Sequence, residues 1–145
     1  MRDTGRPPTR EEPLSAIGTI IGQGVLTRTV VLVVEDHPLI RVAAVDMVTT
    51  AGLEAIEAAD ADAAIRVLEE RSDIHLVFTD VEMPGVMDGI KLSHYIRSRW
   101  PPVQLIVASG RTVIEASHLP VGARFFSKPY SDSAIVEAIM AMLAK

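Results

Sequence analysis

The chain has 145 residues, a formal net charge of −5 and no cysteine. That length suits one domain with a two- or three-layer core, and 48% hydrophobic against 23% charged residues excludes a disordered chain. The acidic balance argues against nucleic acid as the main partner, and the missing thiols exclude disulfides and thiolate chemistry. A reducing cytoplasm is the expected setting. The acid is unevenly placed. Residues 1–28 hold four arginines against Asp3, Glu11 and Glu12, whereas residues 29–145 carry ten Lys or Arg against sixteen Asp or Glu.

Residues 1–28 read as an N-terminal extension, and a tail is favoured over a docking segment. Pro7, Pro8 and Pro13 interrupt any helix, and Gly18, Gly22 and Gly24 loosen the second half of the segment. No apolar stretch is long enough to span a bilayer. Leu14–Leu26 is moderately apolar, but it holds Gln23 and three glycines, comes after Glu11 and Glu12, and lacks an Ala-x-Ala pattern. It therefore fits a signal peptide poorly.

From Thr29 onward, strand and helix patterns alternate. A β-branched apolar run predicts a strand over 29–34. Helix one starts at Pro38, a favoured first-turn residue, and stops before Gly52. A strand over 54–58 is the weakest, and its alternation points to an exposed position. Helix two spans Asp60 to Arg71, with acidic residues at its start. A strand over 75–79 leads to helix three, from Asp88 to Trp100, which Pro101-Pro102 stops. After a strand over 104–108, a short helix four is expected around Thr112 to His118, ending at Pro120. The last strand covers 124–127. Helix five begins after Ser131 or Asp132 as N-cap, with Ile135, Val136, Ile139, Met140 and Leu143 on one face. Five βα units with continuously apolar strands predict a doubly wound parallel α/β sheet over residues 29–145.

Four of the runs end in polar residues. Val30–Val34 leads to Glu35-Asp36, Leu76–Thr79 to Asp80, Leu105–Ala108 to Ser109, and Phe125–Ser127 to Lys128-Pro129. In neighbouring parallel strands these tips meet in one crevice, where open α/β sheets bind ligands. Asp80 has the chemistry of a nucleophile toward phosphorus. Taken alone, it reads more readily as a polar strand-end residue facing water. Glu35 and Asp36 beside it would crowd three carboxylates together, which a hard divalent cation resolves. A solvated acidic loop capping helix one weighs evenly against that. Lys128 can reach Asp80 as a point charge, especially across a cis Lys128-Pro129 bond, although a lone lysine is usually surface. The Ser109 hydroxyl can donate to a phosphoryl oxygen, with Gly110 allowing close backbone approach.

Jointly, these pieces resemble the receiver domain of bacterial two-component response regulators, of the stand-alone type, over roughly Thr29 to Lys145. The matching segments are Val33-Val34-Glu35-Asp36, Asp80-Val81-Glu82-Met83-Pro84, Asp88-Gly89, Ala108-Ser109-Gly110 and Lys128-Pro129. The resemblance implies a (βα)5 sheet of strand order 2-1-3-4-5. It implies Asp80 as phosphoacceptor, with Lys128 and Ser109 as its helpers and Ser109 and Phe125 as switch residues. It also implies Mg²⁺, or Mn²⁺ in its place, held by Glu35, Asp36, Asp80 and the Glu82 backbone carbonyl, with Glu35 acting through a metal-bound water. One departure stands out. The stretch Gly85-Val86-Met87 makes the loop between Asp80 and Asp88 one residue longer than the family pattern. Glu82 and Arg111, flanking the path to the phosphoryl group, could form an ion pair that slows attacking water, or a solvated pair worth little.

The expected function is acceptance of a phosphoryl group from a sensor histidine kinase or histidine phosphotransfer protein, in a protein that is not itself an enzyme. The signal would pass through a switched surface made by helix four, strand five and helix five to a downstream protein target. No membrane contact and no direct DNA binding are expected, since no helix-turn-helix comes after helix five. The alternatives are a phosphorelay intermediate or phosphate sink, and a flavodoxin-like enzyme. Glu35-Asp36-His37-Pro38 in the first loop, where a phosphate-cradling run should stand, weakens the last.

Overall fold

The structure is a computed structural model and describes residues 28–110 and 114–144. All but the last residue of the predicted extension falls outside that range. Five parallel strands form one sheet: β1 (Val30–Val34), β2 (Glu54–Ala58), β3 (Ile74–Asp80), β4 (Gln104–Ser109) and β5 (Arg124–Ser127). Their spatial order is β2-β1-β3-β4-β5, as the resemblance implied. β1 is buried along its whole length, which is why it reads as Val-Val-Leu-Val-Val. β2 lies at the edge, and of its residues only Ala58 is buried, matching its weak alternation.

Side chains of a strand alternate between the two faces, and the two cores obey that alternation. Val31, Val33, Leu76, Phe78 and Ile106 face α1 (Pro38–Thr50) and α4 (Asp132–Leu143), whose Met47, Val48, Ile135 and Ile139 close that core. Val30, Leu32, Val34, Val77 and Leu105 face α2 (Ala61–Glu70) and α3 (Gly89–Arg99), through Ala64, Leu68, Leu92 and Ile96.

Helix starts are capped from the sequence. Asp60 accepts from the Ala63 N–H at 2.8 Å, Asp88 from Lys91 at 2.9 Å and Ser131 from Ala134 at 3.1 Å. Gly52, just past α1, has φ +91°, the left-handed geometry of a helix exit.

The predicted helix four is corrected. Among the described residues, the connection from β4 to β5 has one 3-10 turn, Ala116–His118, preceded by irregular backbone at 114–115, and Thr112 and Val113 lie outside the described residues. The segment is held by tertiary bonds instead. The carbonyl of His118 is 2.8 Å from His94 Nε2, and Arg97 Nε donates to the Val121 carbonyl at 3.2 Å, both from α3. Leu119 and Ile114 pack with Val81, Val107 and Phe125 in a third, small cluster. The helix predicted as the fifth is therefore α4. Among the described residues no helix is long and apolar enough to cross a membrane.

Candidate functional site

The chain reverses direction across the sheet between β1 and β3, and the crevice at that switch point is where the predicted residues meet. Asp80 is the last residue of β3 and is 6% exposed. The neighbouring N–H of Val81 continues the ladder to the Ala108 carbonyl at 2.9 Å, which pins the strand tip. Glu35, also buried, and the exposed Asp36 come directly after β1. One carboxylate oxygen from each of Glu35, Asp36 and Asp80 lies within 4.8 Å of the others.

The acidic loop is built rather than merely adjacent. Glu35 Oε2 accepts from the His37 N–H at 3.0 Å, and the Glu35 carbonyl accepts from Arg41 Nη1 at 2.8 Å. Arg41 also pairs with Glu57 at 2.9 Å, tying α1 to the tip of β2.

Lys128 closes the other side. Its Nζ is 2.7 Å from Asp80 Oδ1 and 3.6 Å from Glu35 Oε1. Its N–H donates to the Ser109 carbonyl at 2.9 Å, and the Lys128–Pro129 bond is cis. Asp80 Oδ1 is buried and receives no hydrogen bond of good direction, so Lys128 meets it as a charge. The acids, the lysine and the strand tips form one constellation.

Residues 31–140 match the response regulator receiver domain family. The chain belongs to that family. Over 112 residues it is 37% identical to the response regulator protein FleR of Pseudomonas aeruginosa, covering 75% of this chain and 23% of that protein. Over 119 residues it is 33% identical to the sensor kinase CckA of Brucella abortus, covering 79% of this chain and 12% of that protein. The chain thus spans less than a quarter of each of these two relatives. A response regulator receiver protein from Pseudomonas putida superposes with a TM-score of 0.72 at 30% identity, covering 81% of this chain and 99% of that one. Receiver domains of two-component response regulators are phosphoacceptors on aspartate, and they bind Mg²⁺ at an acidic pocket.

Around this receiver site, other predicted residues fall less uniformly. The Ser109 hydroxyl is directed at Glu82, donating to Oε2 at 2.5 Å, and the Gly110 N–H reaches Glu82 Oε1 at 3.4 Å. The predicted partner of Glu82, Arg111, lies outside the described residues. A Cβ added at Gly110 would meet Lys128 at 3.5 Å, an ordinary contact, so crowding does not demand glycine there. Phe125 is half-buried against Val107 and Leu119.

The longer loop after Asp80 is absorbed locally. Met83 and Met87 tuck against the core, while Gly85, at φ +100°, and Val86, 94% exposed, bulge outward. The far end returns to register, because the Gly89 N–H donates to the Val81 carbonyl at 3.0 Å.

Three residues contribute beyond the predicted set. Arg41 braces the acidic loop, and its place one turn into α1 offered a faint signal. A Cβ on Gly89 would collide with the Asp80 carbonyl oxygen, so α3 can start against the site only at glycine. Tyr130, two residues past Lys128, stacks edge-on with Phe78 at 5.7 Å. With Ala44, Phe78 and Lys128 it lines a small cavity behind Asp80.

Burial pushes the Asp80 carboxyl up. The Lys128 ammonium pulls against this, while Glu82 and Asp36 add to it. Burial also raises Glu35; the His37 N–H opposes it, and Asp80 and Asp36 reinforce it against Lys128. Burial works against the Lys128 charge, but Asp80 and Glu35 outweigh it, so the ammonium is held above its ordinary range. Burial likewise raises the Tyr130 phenol. A crowded set of three carboxylates, two of them buried, offers the hard oxygen ligands that a divalent cation takes.

Proposed function

We propose that Asp80 accepts a phosphoryl group from a sensor histidine kinase or a histidine phosphotransfer protein in a Mg²⁺-dependent step. The observation that carries this reading is the Asp80 carboxylate itself: buried at a strand tip, 2.7 Å from Lys128 and clustered with Glu35 and Asp36. An Asp80 carboxylate oxygen attacks phosphorus. The P–O bond forms as the donor's P–N bond breaks, and the imidazole leaves with the bonding electron pair. Glu35, Asp36, Asp80 and the Glu82 backbone carbonyl are the proposed Mg²⁺ ligands, with Glu35 acting through water. Bound there, the ion offsets the charge gathering on the phosphoryl oxygens.

Lys128 orients Asp80 before transfer and then pairs with a phosphoryl oxygen. Ser109 is the proposed hydroxyl donor to the phosphoryl group, and Phe125, on the strand paired with β4, is the proposed residue that follows it. The surface made by the β4–β5 connection, β5 and α4 thereby shifts between two populations and presents itself to a protein target. We place this exchange in the cytoplasm, with neither membrane nor DNA as the direct partner.

The test is intact mass after incubation with acetyl phosphate and Mg²⁺. One phosphoryl adduct is expected on the wild type and none on Asp80→Asn. An adduct that persists in Asp80→Asn, or none with either the small donor or a kinase, sinks the reading.

A further inference from the structure

Glu82 holds the Ser109 hydroxyl, the proposed donor to a phosphoryl group on Asp80, and faces the Gly110 N–H beside it. Its carboxylate takes the Ser109 hydroxyl at 2.5 Å, the length of a charge-assisted O–H to carboxylate bond. Its second oxygen faces the Gly110 N–H at 3.4 Å. Ser109 is only 1% exposed, and its hydroxyl is turned to Glu82. We infer that Glu82 is a built-in anionic latch, a positioning residue that occupies the Ser109–Gly110 donor pair until a phosphoryl group on Asp80 displaces it. This rests on the phosphoacceptor reading of Asp80.

The consequence is a competition between two anions for one pair of donors. A phosphoryl oxygen gains the Ser109 bond only as the Glu82 carboxylate gives it up. Formation of the adduct is thereby slowed. Reach matters as much as charge. Glu82 stands across from Ser109 on the loop after β3, and an aspartate there is one methylene shorter. Glu82→Asp keeps the charge and loses the span. Glu82→Gln keeps the span and loses the charge. Glu82→Ala loses both. The side chain is half-exposed on a loop, so all three are expected to fold, as circular dichroism will verify.

The test has two readouts on the wild type and these three variants. The Gly110 amide resonance is tracked in the unphosphorylated protein, and the rate of adduct formation is measured by intact mass with acetyl phosphate and Mg²⁺. The latch predicts that Glu82→Asp and Glu82→Ala both move the Gly110 amide and both accelerate adduct formation by about three- to tenfold, with Glu82→Gln between them and the wild type. Glu82→Asp matching the wild type in both readouts overturns it, since charge alone would then account for Glu82. Adducts forming at equal rates on all four proteins overturn the latch while leaving Asp80 as acceptor. No adduct on any of them overturns the acceptor reading itself.

Discussion

Asp80 sits in surroundings that disfavour its own charge, and this has a measurable sign. A carboxyl whose folded-state pKa is raised contributes stability below the ordinary carboxylate range, and that contribution is lost as pH climbs through the raised value. In chelator at pH 7, Asp80→Asn is therefore expected to melt higher than the wild type. The gap should close as pH falls toward about 4, where an unperturbed carboxylate protonates. Lys128 keeps Glu35 as a partner in that variant, 3.6 Å away, so the substitution does not strand it. A lower melting temperature at neutral pH would show that the Lys128 pair outweighs burial. The same crowding that costs stability is what readies the site for a cation and an electrophile.

Among the elements, the start of α3 is the most tightly constrained. Gly89 packs on the backbone of Asp80 and Val81, with no flexible side chain there to give way. Gly89→Ala is expected to destabilise the fold by about 3 kcal/mol, toward the upper end of overpacking, as read from urea denaturation. It should also displace the Asp80 carbonyl. A loss below about 0.5 kcal/mol would mean that the loop yields more easily than its anchors indicate. The loop after Asp80 is held at its two ends. Met83 and Met87 hold its two ends on the core, and the surplus leaves through Gly85 and Val86. The β4–β5 connection makes the opposite point. Its sequence reads as a short helix, but over its described residues, 114–123, bonds from His94 and Arg97 and the packing of Leu119 hold an irregular path with one 3-10 turn.

For the whole molecule, the proposed cation site ties binding to folding. Three carboxylates brought together from two strand ends exist as a site only in the folded chain, so a bound ion stabilises that state by mass action. Mg²⁺ at about 100 times its Kd is expected to add roughly 2.7 kcal/mol, seen as a rise in Tm. The gain should shrink as pH falls and the raised carboxyls of Asp80 and Glu35 take up protons. It should be lost in Asp36→Asn. A Tm indifferent to Mg²⁺ at pH 7 would remove the ion from this site.

The strands, every helix but the predicted fourth, and the cap at Ser131 were legible in the sequence, because each is local. Apolar runs, proline and glycine punctuation and a capping side chain act over a few residues. The polar tips were legible too, since a residue that ends an apolar strand is placed by the strand itself. What the sequence could not decide was direction across the crevice. Ser109 turns to Glu82, Arg41 braces Glu35, and Gly89 meets the Asp80 backbone, each across a gap in sequence that only the packed sheet closes. Local pattern determined which side chains reach the rim; the tertiary structure decided which of them touch, because those contacts depend on distances between strands that no single segment contains.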